Sequence, residues 1–195
     1  MTREIIVATG NPNKLKEFER ILAPLGFKVL MADKKITDKI EETGSTFTEN
    51  SLIKARTVFL ETGLPTIADD SGICIDFLDG APGVYSARYL GEETPYSVKN
   101  AKILEVMKDI PPEKRCAHYE CVISLITPKG EYIFEGRCDG AIGTAPRGEN
   151  GFGYDPIFYT NGKSYAELSD KEKDAISHRG IALKNFSENF DSIEF

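Results

Sequence analysis

The sequence predicts an α/β fold, in which a mixed sheet carries flanking helices. Short apolar runs and helical stripes alternate through the N-terminal part in the order strand, helix, strand, helix, strand, and this order is typical of α/β domains. A β-hairpin follows in the second half. The chain has 195 residues, 41% of them hydrophobic, which is enough for one domain with a buried core. We therefore predict a single domain over residues 1–195, with two lobes and a ligand cleft between them.

The overall charge and the cysteines narrow the class of protein. The formal net charge of −7 argues against a nucleic acid polymer as the main partner, because binding DNA or RNA needs a basic surface. The four cysteines form no CxxC pair, and the two histidines add no zinc-ligand spacing. We therefore expect the cysteines to be buried, reduced thiols, which are consistent with a cytoplasmic protein. The first apolar run, residues 5–8, is far too short to span a membrane.

The turn after the first strand is a candidate phosphate-binding segment. The strand, residues 5–8, leads into a helix whose apolar stripe continues to Leu22. Backbone N–H groups at a helix N-terminus bind anions, and Lys14 adds a positive charge. The pattern differs from the GxxxxGK[ST] phosphate loop, so a plain turn with a solvated lysine remains the alternative. The candidate residues are Thr9, Gly10, Asn11, Pro12, Asn13 and Lys14.

A second strand and a second helix come next. The strand is predicted over residues 28–32, and a polar stretch after it contains Glu41 and Glu42, which can simply be solvated. Thr46 and Glu49 fit a helix capping box. A glycine and a proline mark the end of that helix.

Two adjacent carboxylates follow the start of the third strand. This strand begins at Thr66 and is predicted to end in a turn made by Asp69, Asp70, Ser71 and Gly72. Neighbouring carboxylates raise each other's pKa and favour a shared proton or a cation. The amides of the two residues after them can approach an anion closely. The stretch indicates a metal site or an acid/base pair beside a phosphate, with a hydrogen-bonded surface turn as the alternative.

The middle of the chain reads as strand, helix and hairpin. Residues 73–78 predict a further strand, and the third helix starts at Thr94. Between them, Arg88 stands among aromatic and small residues, where it forms either a structural ion pair or a contact with a partner chain. The hairpin is predicted from strands over 117–127 and 131–136.

A glycine-rich loop over residues 143–156 is the second candidate binding segment. Glycines on both sides of Phe152 leave its ring free to stack on a flat ligand such as a nucleobase. Asp155 can accept hydrogen bonds from the base or from the loop itself. A flexible surface loop with one anchoring aromatic ring is the alternative.

The last segment contains three potential cations. Ser169 and Glu172 form a second capping box, and Lys173, His178 and Arg179 follow before a final amphipathic helix. So many cations in a short stretch of an acidic chain indicate an anion pocket. A surface pair at a helix start is the alternative.

Six motifs, in order and at compatible spacing, resemble the non-canonical purine nucleoside triphosphate pyrophosphatases, the inosine triphosphatase or HAM1-like family of dITP/XTP diphosphatases. The resemblance extends over nearly the whole chain. Asn13 stands where the family often has glycine, and asparagine tolerates the left-handed conformation. The motifs are residues 9–14, 41–44, 68–72, 83–88, 151–156 and 177–180.

The resemblance implies hydrolysis of ITP, dITP and XTP to the monophosphate and pyrophosphate. It also implies a Mg²⁺ cofactor, a homodimer, and an elongated sheet in two lobes around a central nucleotide-binding cleft. By matching position, Glu41 and Asp70 are the implied metal ligands. Asp70, with Asp69 beside it, is the implied catalytic residue that accepts a proton from the attacking water. Whether Glu42 or Asp69 also binds the metal stays open.

The resemblance divides the other site residues between the two ends of the nucleotide. The implied triphosphate contacts are residues 9–14, Ser71 and Lys173. The implied base-side contacts are Phe152, Gly153, Tyr154, Asp155, His178 and Arg179. A preference for inosine over adenine requires a donor to the 6-oxo group, for which Arg179 and backbone amides are the candidates.

Two rival hypotheses follow from the same residues. A Maf-like nucleotide pyrophosphatase would have a similar fold but pyrimidine substrates. The loop around Phe152 and residues 177–179 favour purines. A nucleotide-binding sensor without turnover is the other rival. Adjacent carboxylates beside a polyphosphate argue against a pure binder, because they would only repel it.

Overall fold

The computed structural model describes residues 3–195, and there the predicted α/β fold is confirmed. A seven-stranded mixed sheet has the order β2-β1-β3-β4-β5-β6-β7. The first strand pairs in parallel with both of its neighbours, whereas the last three strands pair antiparallel. The strands are β1 Arg3–Val7, β2 Phe27–Met31, β3 Thr66–Ile75, β4 Cys116–Thr127, β5 Gly130–Ile142, β6 Phe158–Thr160 and β7 Lys163–Ser164.

The helices begin and end largely where the local signals predict. Thr46 and Glu49 form the capping box of α3, and Gly63 ends that helix in the left-handed conformation. The second predicted capping box, Ser169 with Glu172, is present at the start of α5. The helices are α1 Pro12–Leu22, α2 Lys34–Thr37, α3 Phe47–Thr62, α4 Tyr96–Val106, α5 Asp170–Ile176 and α6 His178–Glu188. None of the helices within residues 3–195 is both long enough and apolar enough to cross a membrane.

The chain divides into two compact units. Unit 1 contains the residues up to Asp70, Cys121–Gly136 and Arg179–Phe195. Unit 2 contains Ser71–Glu120 and Arg137–His178. The two-lobe, single-domain organisation and its cleft stay a prediction.

Unit 1 has an apolar cluster on each face of its strands. On one face, α1 and α6 pack against β1 and β3 through Phe18, Leu22, Leu183 and Phe186, with Ile67 among the strand residues. On the other face, α3 packs through Ala55 and Val58 against Ile6, Ala8 and Ala68. Successive residues of β3 therefore face different helices, as the period of a strand requires.

The core of unit 2 lies on one face of its strands. Ile73 and Ile75 of β3 and Tyr119 of β4 pack there with Ile103 and Met107, which belong to α4 and the residue after it. The alternate residues of β3 and β4 therefore face away from this core.

The predicted Asp-Asp-Ser-Gly turn is wrong, because β3 runs without interruption from Thr66 to Ile75. Gly72 fits within the strand since its neighbours come unusually close. A Cβ there would lie 2.2 Å from the carbonyl oxygen of Gly83 and 2.5 Å from the hydroxyl of Ser86. The glycine thus permits a close approach of two segments rather than a change of chain direction.

Two further predictions needed correction in the C-terminal half. β5 continues to Ile142, well beyond the predicted end at residue 136. The segment after the glycine-rich loop forms a short hairpin, β6 with β7, that the sequence pattern did not predict.

Candidate active site

The two adjacent acids of β3 lie on opposite faces of the strand. Asp69 is two residues from Ile67 and therefore points to the same face of β3, on which Ile67 packs against α1 and α6. Asp70 is two residues from Ala68 and points to the other face, on which Ala68 packs against α3. The contacts of the two carboxylates agree with this arrangement, because they bond to different cations. The two acids therefore have separate environments and separate chemistry.

Asp69 is a buried carboxylate surrounded by cations. Its Oδ2 lies 2.7 Å from Nη2 of Arg179 and 2.9 Å from Nζ of Lys14. The same guanidinium also pairs with the buried carboxylate of Glu17. Burial raises the pKa of the Asp69 carboxyl, but Arg179 and Lys14 outweigh that effect and hold its pKa well below the ordinary value. Asp69 is consequently ionised throughout the neutral range.

Asp70 is held by α3. Its Oδ1 accepts a hydrogen bond of 2.8 Å from Nζ of Lys54, and its Oδ2 one of 3.3 Å from Nδ2 of Asn50. These two donors are four residues apart and share one helix face. Burial raises the pKa of Asp70, and the lowering effect of Lys54 does not cancel that rise. A carboxylate with a raised pKa is better suited to accept a proton than an ordinary surface acid.

Lys54 joins Asp70 to the acidic loop before α3. Its Nζ donates to Oε1 of Glu42 at 2.8 Å as well as to Asp70. The same loop is tied down by Asn50, whose Oδ1 accepts from the backbone N–H of Gly44 at 2.8 Å. A Cβ on Gly44 would lie 2.6 Å from that oxygen. The glycine is therefore required for this contact.

Glu41, the other predicted metal ligand, is exposed. Its neighbour Glu42 is the acid that shares Lys54 with Asp70 in this structure. The assignment of Glu41 as a ligand stays a prediction. Glu42 is the carboxylate that, together with Asp70 and Lys54, forms the carboxylate cluster around Asp70.

The predicted phosphate-binding turn forms the N-terminus of α1. Asn11 caps the helix, and its Oδ1 accepts from the backbone N–H groups of Asn13 at 2.9 Å and Lys14 at 3.4 Å. Thr9 is buried and accepts from the backbone of Asn11, whereas Gly10, Pro12 and Asn13 are exposed. Lys14 pairs with Asp69, so the alternative of a solvated lysine is wrong.

In unit 2, the glycine-rich loop folds around Asp155. The Oδ2 of this buried acid accepts from Nζ of Lys173 at 2.7 Å and from the backbone N–H of Phe152 at 2.8 Å. The Lys173 ammonium also lies 4.6 Å from the centroid of the half-buried Phe152 ring. Gly151 has a φ of 72°, and a Cβ there would lie 2.1 Å from the same carboxylate oxygen. The loop is thus an ordered structure built on one buried ion pair.

The remaining predicted residues of unit 2 divide between loop and core. Tyr154 is buried, and its hydroxyl donates to the carbonyl of Ser86 at 2.7 Å. Gly153 has a φ of 69° in the same loop. His178 is buried and stacks on Tyr119, with ring centroids 4.4 Å apart and planes within 6°. Ser71, the first residue of unit 2, is half-buried in β3.

Sequence reasoning did not identify Glu17, Asn50 and Lys54, and each of them contacts a predicted site residue. Asn50 and Lys54 are four residues apart on the helix before the acidic strand, and this pattern could have indicated two donors for one of its carboxylates. Glu17, in contrast, is one of several charged residues on α1, and nothing in the sequence marks it.

Comparisons with known proteins converge on one family. Residues 5–189 match the model of the Ham1 family. The dITP/XTP pyrophosphatase of Halalkalibacterium halodurans is 48% identical over 193 residues, which are 97% of this chain and 100% of the relative. That of Photorhabdus laumondii is 46% identical and covers 93% and 95%, respectively.

Solved structures give the same result. A HAM1 protein from Coxiella burnetii has a TM-score of 0.86 and 42% identity, covering 98% of this chain and 100% of that chain. The Ham1 protein of Staphylococcus aureus has a TM-score of 0.85 and 37% identity, covering 97% and 99%.

Proposed function

Because the chain belongs to the Ham1 family, we propose that it hydrolyses the non-canonical purine nucleoside triphosphates ITP, dITP and XTP to the monophosphate and pyrophosphate. Relatives that are 46–48% identical over nearly their full length are named dITP/XTP pyrophosphatases. The observation that carries the proposal is the pair of buried acids in β3, each bonded to its own cations.

Asp70 is the proposed general base. Its pKa is raised by burial, and Lys54 and Asn50 fix both of its oxygens. Held in this way, it would orient a water molecule and accept its proton as the water attacks the α-phosphorus in line with the leaving pyrophosphate. The positive charge of Lys54 would also favour the ionised form of Asp70, which is the form that can accept a proton.

The donor set beside Asp70 fits Mg²⁺. Hard cations of this kind take oxygen ligands and are commonly held by one or two carboxylates together with substrate phosphates. Asp70 and Glu41 are the proposed ligands, and Glu42 is the further carboxylate that Lys54 bonds. When bound, Mg²⁺ would offset the negative charge of the triphosphate and of the departing pyrophosphate.

Asp69 is proposed to act as a positioning residue rather than as a second base. Its carboxylate is buried against Arg179 and Lys14, and its pKa lies below the ordinary value, so it is a poor proton acceptor near neutral pH. By holding the Lys14 ammonium in place it would present that cation to the triphosphate. An ammonium has three N–H donors, so Lys14 can bond a phosphate oxygen and retain Asp69.

The other triphosphate contacts are proposed from position and chemistry. Residues 9–13 form the turn before α1, and Ser71 follows Asp70 directly in β3. Lys173 pairs with Asp155 and, like Lys14, has further donors for an anion. Each of these groups would serve to hold the triphosphate tail, which must be fixed for attack at its α-phosphorus.

The glycine-rich loop is the proposed base-side element. The ring of Phe152 would stack on the purine. The backbone N–H groups of Phe152 and Asp155 are bonded within the loop, so those of Gly153 and Tyr154, together with the side chains of Asp155 and His178, would complete the contacts. Arg179 is the side-chain candidate for the donor to the 6-oxo group. Since its guanidinium pairs with Asp69 and Glu17, we propose that backbone amides supply that donor and that Arg179 fixes Asp69.

Two further properties are proposed from the family resemblance. A homodimer is the expected assembly. The cytoplasm is the expected compartment, since an enzyme that removes deaminated purines must have access to the nucleotide pool.

The experiment that tests the proposal is a product assay. ITP, XTP, GTP, ATP and UTP are supplied separately with Mg²⁺, and pyrophosphate and phosphate are measured independently. Pyrophosphate from ITP and XTP, with little from the other nucleotides, is the expected result. Little product from GTP requires, besides the donor to the 6-oxo group, a second filter against the 2-amino group of guanine. Free phosphate would contradict attack at the α-phosphorus, equal use of all purines would contradict the 6-oxo selectivity, and preferred use of UTP would favour the Maf-like alternative.

A further inference from the structure

Unit 2 contains a group of metal-ligating side chains that the proposed hydrolysis does not use. One ligand atom from each of Cys74, His118 and Glu120 lies within 4.8 Å of the other two. Cys74 belongs to β3, and the other two belong to its neighbour β4. The sequence shows no ligand spacing here because the strands, and not a local motif, bring the residues together.

The strand period explains why the three side chains share a face. His118 and Glu120 are two residues apart, so they point to the same side of β4. Tyr119, between them, packs in the core of unit 2, as do the neighbours of Cys74 in β3. The three ligands therefore lie on the face of the sheet opposite to that core. Cys74 is 8% exposed and the His118 side chain 14%, whereas the Glu120 side chain is 36% exposed. A cation bound there would be buried on the side of the cysteine and open to water on the side of the glutamate.

The separation of two of the three ligand atoms is close to that in a tetrahedral metal site. Nε2 of His118 lies 3.2 Å from Oε1 of Glu120. With metal–ligand bonds of about 2.0–2.3 Å, neighbouring ligand atoms of a tetrahedral zinc are roughly 3.3–3.8 Å apart. The other ring nitrogen of His118, Nδ1, lies 3.9 Å from Oδ1 of Asp76. This separation is too long for a hydrogen bond, so Asp76 would have to move closer to orient the ring, as a carboxylate behind a histidine ligand does.

We propose that Cys74, His118 and Glu120 bind a thiophilic divalent cation, with Zn²⁺ as the representative ion and water as the fourth ligand. Thiolate and imidazole donors select Zn²⁺ and related late transition metals, whereas Mg²⁺ requires oxygen ligands in octahedral geometry. The site therefore differs in chemistry from the carboxylate cluster around Asp70.

A cation at this site would have to compete with Arg137 for the carboxylate of Glu120. Nη1 of Arg137 lies 3.5 Å from Oε1 of Glu120, and Nη2 of the same residue lies 2.7 Å from Oδ1 of Asp139. The contact with Glu120 is long, and Arg137 would retain Asp139 after Glu120 turned to a cation. A surface charge network without any metal is the competing explanation of the same side chains.

Cobalt substitution of the full-length protein tests the proposal. The protein is stripped with a chelator and titrated with Co²⁺, which gives a thiolate-to-cobalt charge-transfer absorption when a cysteine is a ligand. We expect that absorption to saturate at equimolar Co²⁺, to disappear on addition of Zn²⁺ and to resist excess Mg²⁺. Cys74→Ser should abolish it and weaken binding by at least roughly tenfold. The matched control is Cys116→Ser, which removes an exposed cysteine of the same unit and should leave the absorption unchanged.

Three results would overturn the proposal: no thiolate absorption in the unsubstituted protein, an absorption that survives Cys74→Ser, or displacement of Co²⁺ by Mg²⁺. Circular dichroism shows whether Cys74→Ser is folded. If it is not, His118→Gln replaces it, and an unchanged cobalt spectrum and affinity in that variant would exclude His118 as a ligand and with it the site.

Discussion

Arg179 and Asp69 form a buried ion pair in which Nη2 and Oδ2 are 2.7 Å apart and the side chains are only 2% and 1% exposed. The guanidinium is shared with Glu17, and the carboxylate is shared with Lys14. Two positive and two negative groups of unit 1 thus balance one another in a chain of three ion pairs. Removing any one of them leaves the other three with an unbalanced charge in a buried place, and such a loss is much more costly than the pair was stabilising.

Replacing Arg179 with methionine should therefore destabilise the protein strongly. We expect a loss of about 3–5 kcal/mol in the free energy of unfolding, because Asp69 and Glu17 lose a shared partner. Urea denaturation measures the change. The matched control is Arg56→Met, which breaks an exposed arginine–carboxylate pair with Glu131 in the same unit and should cost less than about 1 kcal/mol. Equal losses in the two variants would contradict the proposed role of burial.

Asp70→Asn should separate turnover from binding. The amide keeps the size of the side chain but cannot accept the proton of the attacking water, so we expect kcat for ITP to fall by about 10²–10⁴-fold. Nucleotide affinity, measured by calorimetry, should change far less. Asp139→Asn, at an exposed acid of β5, is the control and should retain full activity. Retained turnover in Asp70→Asn would mean that another group is the base.

Lys54→Met should move the pH dependence of kcat. The positive charge of Lys54 favours the ionised form of Asp70 and so lowers the pKa of that carboxyl. Without this charge, the pKa of Asp70 rises, and the basic form exists only at higher pH. The acidic limb of the profile should therefore shift upward by about 1–3 pH units.

Lys102→Met is the control for this shift, because Lys102 is half exposed and pairs with Glu105 on the surface of α4. Its profile should coincide with that of the unsubstituted protein. An acidic limb that stays in place in Lys54→Met would show that Asp70 does not control it.

Gly72→Ala should reveal how tightly β3 is packed in unit 2. The added methyl would lie 2.2 Å from the carbonyl oxygen of Gly83, and backbone atoms cannot move aside as a flexible side chain can. We expect a loss of about 1–3 kcal/mol in the free energy of unfolding, the usual cost of overpacking. Gly130→Ala is the control, since the nearest atom there is 3.5 Å away. Similar denaturation midpoints for both variants would contradict the close approach.

The elements that the sequence predicted correctly are those with local causes. The capping boxes of α3 and α5 consist of residues three positions apart, so the pattern alone is sufficient. The turn at Ser71 and Gly72 was wrong for the opposite reason. The glycine there serves a contact with Gly83, and no local pattern distinguishes such a contact from a turn.

The same division applies to the candidate site. Asp69 and Asp70 were identified because two adjacent acids after an apolar strand are unusual in any context. Lys54 and Glu17 were not, because their importance depends on which distant carboxylate or guanidinium they meet. The different environments of the two acids, likewise, depend on which helices cover the two faces of β3.

The opposite faces of Asp69 and Asp70 make the site sensitive to strand register. The parallel pairing of β1 with β3 sets Ile6 opposite Thr66 and Val7 opposite Ile67. A slip of β3 by one residue would turn each side chain to the opposite face of the strand, so Asp69 would point toward α3 and Asp70 toward the face of Arg179. A single-residue insertion or deletion between Thr66 and Asp70 would therefore eliminate the site while leaving every functional side chain in the sequence.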